Sequence, residues 1–143
     1  VYAEKLNVEL RKTNSWKDNN EEGEVLKLLE ADLAIVGAYG QIITKSYLKL
    51  TKKGFINIQA SMLPKWRGAA PIQRSIMNLD EETGISIMKI GEELDTGPVC
   101  NVYKINIENN LNAEDINEKL SRLAAETIFD NIDDILEDTA NFI

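Results

Sequence analysis

Residues 55–72 read FINIQASMLPKWRGAAPI, and this stretch decides the fold. The apolar residues Phe55, Ile56 and Ile58 predict a strand, which runs into small, polar and turn-forming residues. Pro71 then suits the first turn of a helix, because the N–H that proline lacks is unbonded at a helix start anyway. A strand, a polar loop and a helix in this order predict a ligand site at the carboxyl end of the strand, as in open α/β sheets.

Strand and helix patterns alternate along the chain, and this alternation predicts an α/β fold. Further strands are predicted at 8–10, 32–37, 85–90 and 99–107, helices at 1–7, 21–30 and 71–79, and a loop with a short helix at 42–50. The continuous apolar run LAIV at 33–36 is typical of a strand that is covered on both faces. In the predicted helix 71–79, Ile72, Ile76 and Leu79 share one face.

A long helix is predicted after Asn112, whose side chain can cap the first turn. Its apolar positions form one stripe at helical spacing, consisting of Ile116, Leu120, Leu123, Ala124, Ile128, Ile132, Ile135 and Leu136. The opposite face is acidic, which is more typical of a solvated helix surface than of a specific interaction site.

Composition limits the kind of protein. A chain of 143 residues with 43% apolar and 28% charged residues is typical of one soluble globular domain. No apolar run approaches the roughly 20 residues that a membrane-spanning helix needs. The single cysteine, Cys100, cannot form an internal disulfide, and this suits a reducing compartment. We therefore expect a cytoplasmic protein.

The chain contains no histidine, which excludes several kinds of site. Serine–histidine and cysteine–histidine nucleophile pairs are ruled out, as is any zinc site that contains histidine. Cys100 alone cannot form a thiolate metal site either. Catalysis by this chain must therefore use carboxylates, amides, hydroxyls or lysines.

Charge is distributed unevenly along the chain. From Glu108 to the end there are ten acidic residues against Lys119 and Arg122, which accounts for the net charge of −8. The segment 45–74 instead carries no acid and seven bases, namely Lys45, Lys49, Lys52, Lys53, Lys65, Arg67 and Arg74. Such a segment raises the local positive potential and could attract an anionic ligand, although a solvated basic face is an equally good interpretation.

Two linked motifs resemble a known family. The runs NIQASMLPKWRGAAPIQ at 57–73 and ETGISIMKIGEELDTGPV at 82–99 resemble the catalytic core of the 10-formyltetrahydrofolate-dependent formyltransferases. The resemblance implies a Rossmann-like, mostly parallel sheet flanked by helices. Within the family, the segment LPKWRGAAPI favours members that formylate initiator methionyl-tRNA over those that act on amino sugars or glycinamide ribonucleotide.

The resemblance implies catalytic roles for two residues. Asn57 would polarise the formyl carbonyl and donate a hydrogen bond to the oxyanion of the tetrahedral intermediate. Asp95 would organise proton transfer from the attacking amine, directly or through water. From the residues alone, Asn57 could equally bridge two strands, and Asp95 before Thr96-Gly97 is also the pattern of an ordinary turn aspartate.

Binding roles are implied in the same way. The run AYGQI at 38–42 is similar to the family's stretch that lines the pterin site, which assigns folate contacts to Tyr39, Gly40 and Gln41. The folate-contacting turn is matched by Ser61, Met62, Leu63 and Pro64, with Met62 where leucine is usual. Arg67 would contact the tRNA acceptor. The resemblance implies a monomer that uses 10-formyltetrahydrofolate as co-substrate and no metal ion.

Gln59 departs from the family pattern, which reads Asn-x-His. The family's histidine supplies a proton donor to the developing oxyanion and helps to position the aspartate. A glutamine amide can donate a hydrogen bond but cannot titrate near neutral pH. Because losing one such group typically costs about 10²–10⁴ in rate, we predict that Gln59 impairs catalysis.

The resemblance covers essentially all 143 residues. It implies that residues 1–143 form part of the catalytic domain, without its first β-α units and without the C-terminal barrel that helps to hold tRNA. We accordingly expect residues 1–20 to be poorly anchored. Two functions of different classes remain open, namely an enzyme core and a non-catalytic folate-binding or interaction module of the same fold.

Overall fold

The computed structural model describes residues 2–15, 20–91 and 93–143. The secondary structure runs, in chain order, α1 (Tyr2–Lys5), α2 (Asn20–Leu28), β1 (Ala34–Gly37), α3 (Lys45–Leu48), β2 (Phe55–Gln59), α4 (Pro71–Met77), β3 (Glu82–Lys89), β4 (Val99–Asn106) and α5 (Ala113–Leu136). This order confirms the α/β class. Every predicted helix is present, and so is every predicted strand after residue 30.

The sheet has the strand order β1-β2-β3-β4. β1 and β2 are parallel, with Gly37 beside Ile58, whereas β2 and β3, and then β3 and β4, are antiparallel. The prediction of a mostly parallel sheet is therefore wrong for the described strands, which form a mixed sheet. β4 is antiparallel to β3 because the connection between them, residues 90–98, is too short for a parallel pair. A parallel strand needs a crossover of a dozen or more residues.

The segment 8–10 is not a strand, contrary to the sequence prediction. The chain turns back directly after α1, where the N–H of Val8 donates to the carbonyl of Ala3 at 3.0 Å. Val8 is 58% exposed and Leu10 39% exposed. An apolar run of three residues becomes a strand only when another strand accepts its hydrogen bonds, and none of the described strands pairs with it.

Two further expectations about burial are wrong. Ile35 in β1 is 46% exposed, because β1 is an edge strand whose side chains alternate between a covered and an open face. Leu79 is 87% exposed, because α4 ends at Met77 and the chain then turns through Leu79 with a φ of 55°. In both cases the apolar residue type predicted burial that the neighbouring elements do not provide.

α5 covers one face of the sheet, as the apolar stripe predicted. Its residues Ile116 and Leu120 pack with Ile72 of α4 and Ile85 of β3 in one core cluster. Asn112 caps the helix by accepting hydrogen bonds from the backbone N–H groups of Glu114 and Asp115, at 2.8 and 3.1 Å. The predicted cap is thus confirmed, and it stabilises the helix by about 1 kcal/mol.

The stripe of α5 also contains a polar residue that the apolar pattern did not include. Asn131 is buried, and its amide donates to the Tyr103 hydroxyl at 2.7 Å and to the carbonyl of Thr127 at 2.6 Å. Asn101 of β4 donates to the side-chain oxygen of Asn131. Since a buried amide needs partners, these bonds fix the rotation of α5 about its own axis and its position relative to β4. Within the described ranges, no helix is both long and apolar enough to cross a membrane.

Candidate active site

Asn57 and Gln59 lie side by side on one face of β2. Because side chains alternate along a strand, residues two positions apart point to the same face. The two amides are in direct contact, with Asn57 Nδ2 donating to Gln59 Oε1 at 3.2 Å. Gln59 is buried and Asn57 is half-buried. Strand alternation thus brings these two predicted residues together.

Asp95 reaches Asn57 from the connection between β3 and β4. Asn57 Nδ2 donates to Asp95 Oδ1 at 3.4 Å, although the two residues are 38 positions apart in the chain. Since β3 runs antiparallel to β2, the connection starts beside the amino end of β2, where Ile90 donates to the carbonyl of Phe55. The polar cluster therefore lies against the face of β2 and not only beyond its carboxyl end, where the sequence had placed it.

Gly68 completes the cluster. Its N–H donates to Asp95 Oδ2 at 2.8 Å, and its carbonyl accepts from Gln59 Nε2 at 3.5 Å. Its φ of 81° lies in the left-handed region, which only glycine adopts without strain. Asn57, Gln59, Gly68 and Asp95 thus form a closed hydrogen-bonded ring, which we call the polar ring.

The turn at 61–64 is fixed to β3 through Ser86. The Ser86 hydroxyl donates to the carbonyl of Ser61 at 2.7 Å and accepts from the N–H of Leu63 at 3.0 Å. Met62 and Leu63 are half-buried, and Pro64 is exposed. Ser61 is fully buried, and its hydroxyl has no hydrogen-bond partner among the described residues. A buried donor of this kind is rare in a folded protein.

Asp80 fixes the next part of the same loop. Its carboxylate accepts from the indole N–H of Trp66 at 2.7 Å, the ammonium group of Lys65 at 3.2 Å and the amide of Asn78 at 2.8 Å. These donors, with Asn78 and Trp66 the strongest, hold the pKa of the Asp80 carboxyl below its usual range. The sequence patterns gave Asp80 no role in the site. A signal for it was present, because Asp80 is the first acidic residue after Asp32 and so ends a long stretch without acids.

The predicted pterin-lining residues lie at the same sheet edge but outside the polar ring. Tyr39, Gly40 and Gln41 follow β1, which is parallel to β2, so they lie beyond the carboxyl ends of both strands. Tyr39 and Gly40 are exposed, and the Gln41 amide donates to the carbonyl of Asn14 at 3.1 Å. Their role as ligand contacts remains a prediction.

The basic segment at 45–74 is partly neutralised by acids from elsewhere in the chain. Lys52 pairs with Asp32 at 2.6 Å and Lys65 with Asp80 at 3.2 Å, while Lys53 pairs with Asp138. Arg67 is exposed and forms no ion pair within the described part of the chain. In the same described ranges, no group of three or more acidic or cysteine residues is arranged to hold a metal ion.

Gly97 is required for the connection that carries Asp95. A Cβ at this position would lie 1.8 Å from the backbone oxygen of Lys89. The backbone of Lys89 is itself held here, because its N–H donates to the carbonyl of Pro98. We expect Gly97→Ala to lower the free energy of unfolding by about 2–4 kcal/mol, because backbone must shift to make room. Urea denaturation would measure this. The control is Gly37→Ala, whose Cβ meets nothing within 4 Å; equal stability of both variants would contradict the prediction.

Comparison with known proteins decides the family. Residues 3–132 match the family model described as formyl transferase. The chain belongs to the formyl transferase family. Methionyl-tRNA formyltransferase from Pelagibacter ubique strain HTCC1062 is 63% identical to this formyl transferase chain over 142 residues, which cover 99% of the chain and 46% of that relative. The chain spans about half the length of the curated relatives it matches.

Solved structures of other formyl transferases share the fold. Phosphoribosylglycinamide formyltransferase from Anaplasma phagocytophilum has a TM-score of 0.83 and 18% identity, covering 95% of this chain and 67% of that one. Formyltransferase PseJ from Anoxybacillus kamchatkensis, in complex with UDP-4,6-dideoxy-4-formamido-L-AltNAc and tetrahydrofolate, has a TM-score of 0.71 and 23% identity, covering 94% and 66%. At these identities the likeness carries the fold alone.

Proposed function

We propose that this chain transfers a formyl group from 10-formyltetrahydrofolate to the amino group of initiator methionyl-tRNA. The observation that carries this proposal is the contact between Asn57 and Asp95, an amide donor and a carboxylate at 3.4 Å in a formyl transferase chain. The choice of acceptor is supported by the segment LPKWRGAAPI and by 63% identity to a relative named for that activity.

We further propose that residues 1–143 are part of the catalytic domain of a longer enzyme. The share of the relatives that the chain covers, 46% of the one from Pelagibacter ubique, supports this. The C-terminal barrel that the resemblance implies would then contribute to holding the tRNA. Because translation starts in the cytoplasm, the enzyme would work there, as a monomer with no metal ion.

In the proposed reaction the amine nitrogen of the acceptor attacks the formyl carbon, and the bond from that carbon to N10 of the folate breaks. Asn57 donates a hydrogen bond to the oxygen that becomes negatively charged. Asp95 accepts the proton that the amine loses, directly or through one water, and N10 takes up a proton as it leaves. The half-buried setting strengthens both interactions relative to water.

Gln59 weakens this arrangement in two ways. Its amide has no acidic proton to give to the oxyanion near neutral pH. Its Oε1 also accepts one N–H of Asn57, while Asp95 Oδ1 accepts the other. Asn57 must therefore release one of these bonds before it can donate to an oxyanion. Both effects support a rate below that of a family member with histidine at this position.

The residues near the polar ring fit a folate. Met62 and Leu63 provide apolar surface in the turn at 61–64, beside the fully buried Ser61, whose hydroxyl has no partner among the described residues. Tyr39 adds an exposed aromatic ring at the same edge of the sheet. We propose that this turn and residues 39–41 hold the pterin and that the polar ring faces the formyl group. The tetrahydrofolate in the PseJ structure supports the class of ligand.

A second function is favoured by the closed polar ring. Both N–H groups of the Asn57 amide already have acceptors, and both oxygens of Asp95 already have donors. A ring satisfied in this way would suit a module that binds folate without transferring the formyl group. The two functions differ in one measurable respect, since only the enzyme releases tetrahydrofolate when the acceptor is added.

Single-turnover transfer with the full-length protein tests the proposal. The protein is mixed with radiolabelled 10-formyltetrahydrofolate and initiator methionyl-tRNA, and formyl-methionyl-tRNA is quantified over time. We expect slow transfer that is abolished by Asn57→Ala. Folate binding with no transfer at any time would overturn the enzyme and support the binding module. Transfer to glycinamide ribonucleotide or to an amino sugar in preference to the tRNA would overturn the choice of acceptor.

Arg67→Ala is expected to affect the acceptor more than the folate. Arg67 is exposed and unpaired among the described residues, so its guanidinium can meet a tRNA phosphate. We expect the KM for tRNA to rise by about tenfold and the Kd for folate to change by less than twofold. Lys49→Ala, which removes another exposed base from the same segment, is the control. Equal losses in tRNA use and folate binding would contradict this role.

A further inference from the structure

We propose that Asp80 is a positioning residue for formyl transfer, because it holds the loop at 65–68 in the conformation that brings Gly68 to Asp95 and Gln59. This proposal rests on the function proposed above. Asp80 lies outside the polar ring, and none of the site residues predicted from the sequence includes it. Its effect on the reaction would pass through the backbone of the loop and through Trp66.

The first step is the attachment of Trp66 to Asp80. The indole N–H donates to Asp80 Oδ2 at 2.7 Å, while Oδ1 accepts from Lys65 and Asn78. The Asp80 side chain is only 8% exposed, so a donor that it loses is not easily replaced by water. A half-buried Trp66 and a nearly buried carboxylate thus tie the loop to the turn before β3.

The second step is the backbone of the loop itself. Trp66, Gly68 and Ala70 have φ values of 54°, 81° and 57°, all in the left-handed region. Residues with a Cβ adopt this region only when surrounding contacts require it. Trp66 therefore needs a contact that holds it, and its hydrogen bond with Asp80 is such a contact. Without that bond the loop would relax toward ordinary φ values.

The third step connects Trp66 to the reacting groups. Gly68 is two residues further along, and its peptide groups donate to Asp95 Oδ2 at 2.8 Å and accept from Gln59 Nε2 at 3.5 Å. A rotation at residue 66 moves both of these groups, because they belong to the same short loop. Asp95 would then lose the donor that orients its carboxylate toward Asn57. The turn at 61–64 would stay in place, since Ser86 holds it separately.

Because Ser86 holds the turn at 61–64 and Asp80 holds the loop at 65–68, loss of Asp80 should affect transfer but not folate binding. Asp80→Ala in the full-length protein is expected to lower kcat by tenfold or more and to leave the Kd for folate within twofold. Asp80→Asn keeps an oxygen that can accept from Trp66 but loses the charge that attracts Lys65, so its kcat should lie between wild type and Asp80→Ala. Trp66→Phe, which removes the indole N–H donor and keeps a smaller aromatic ring, should resemble Asp80→Ala.

The double variant Asp80→Ala/Trp66→Phe separates positioning from general destabilisation. If the two side chains act through one bond, the double variant should be no slower than either single variant within a factor of two. Leu120→Ala, which truncates a buried core residue, should lower Tm without the same loss of kcat at temperatures where it is folded. Asp32→Ala, which removes an exposed ion pair with Lys52, should change neither. Multiplicative losses, or a wild-type kcat for Asp80→Ala, would overturn the proposal.

Tryptic cleavage gives a readout that does not depend on transfer. The bonds after Lys65 and Arg67 should be cut at least tenfold faster in Asp80→Ala than in wild type or Asp32→Ala, because the loop is released. Equal cleavage rates would overturn the proposal that Asp80 holds the loop. Faster cleavage together with an inactive wild type would support the loop attachment and overturn the proposed transfer function, so the two failures can be distinguished.

Discussion

Asp95→Asn should lower the single-turnover rate of formyl transfer by about 10³-fold. The carboxylate accepts from Asn57 through Oδ1 and from the N–H of Gly68 through Oδ2. An asparagine keeps one oxygen but turns an NH₂ group toward one of these two donors. Two donors then face each other, and neither has an acceptor. It also cannot accept the proton of the attacking amine. Orientation and proton transfer would therefore be lost together.

Folate affinity and a matched variant show whether the loss is specific. We expect the Kd for folate to stay within about threefold, because the turn at 61–64 is held by Ser86 and not by Asp95. Asp32→Asn makes the same chemical change at an exposed position that pairs with Lys52. It should leave the rate unchanged. A rate for Asp95→Asn close to that of Asp32→Asn would show that Asp95 is an ordinary turn residue.

Gln59→His is expected to raise the transfer rate by about 10²–10⁴-fold. The substitution removes the oxygen that accepts from Asn57 Nδ2 at 3.2 Å, and it supplies an imidazole that can donate a proton to the oxyanion. The rate of the variant should also fall as the pH rises through the imidazole pKa, which is about 6.5 for an unperturbed histidine. Wild type has no histidine and should lack this pH dependence.

Gln59→Ala separates the two effects of the substitution. It removes the competing oxygen without adding an acid, so a gain equal to that of Gln59→His would assign the impairment to competition for Asn57 alone. A gain for histidine only would assign it to the missing proton donor. If neither variant gains while folate still binds, the chain does not act by the proposed mechanism and the binding module is the better function.

Local patterns predicted the elements well because their causes lie close together in the chain. The capped helix α5 follows from Asn112 and a repeating apolar stripe, and α4 follows from Pro71 and the spacing of Ile72 and Ile76. The pairing of Asn57 with Gln59 follows from strand alternation alone. The same local view failed for 8–10 and for Leu79, where burial depends on a neighbouring element that the pattern does not contain.

Local sequence patterns could not predict whether neighbouring strands run parallel or antiparallel. An apolar strand such as β3 has the same residue types whether its neighbour runs parallel or antiparallel. Yet that direction places the connection at 90–98 beside the start of β2, and hence Asp95 beside Asn57. Asp80 was missed for the same reason, since it acts through residues far along the chain.

By itself, the stretch at 55–72 determined the strand, the loop, the helix start and the family resemblance, because these depend on residue types and their order. It also contains Asn57, and the motif that follows contains Asp95, the two residues predicted to be catalytic. The tertiary structure decided that these two residues meet, that Gly68 joins them and that Asp80 holds the loop. The physical reason is that hydrogen bonds between side chains distant in sequence exist only once a mixed sheet brings their backbones together.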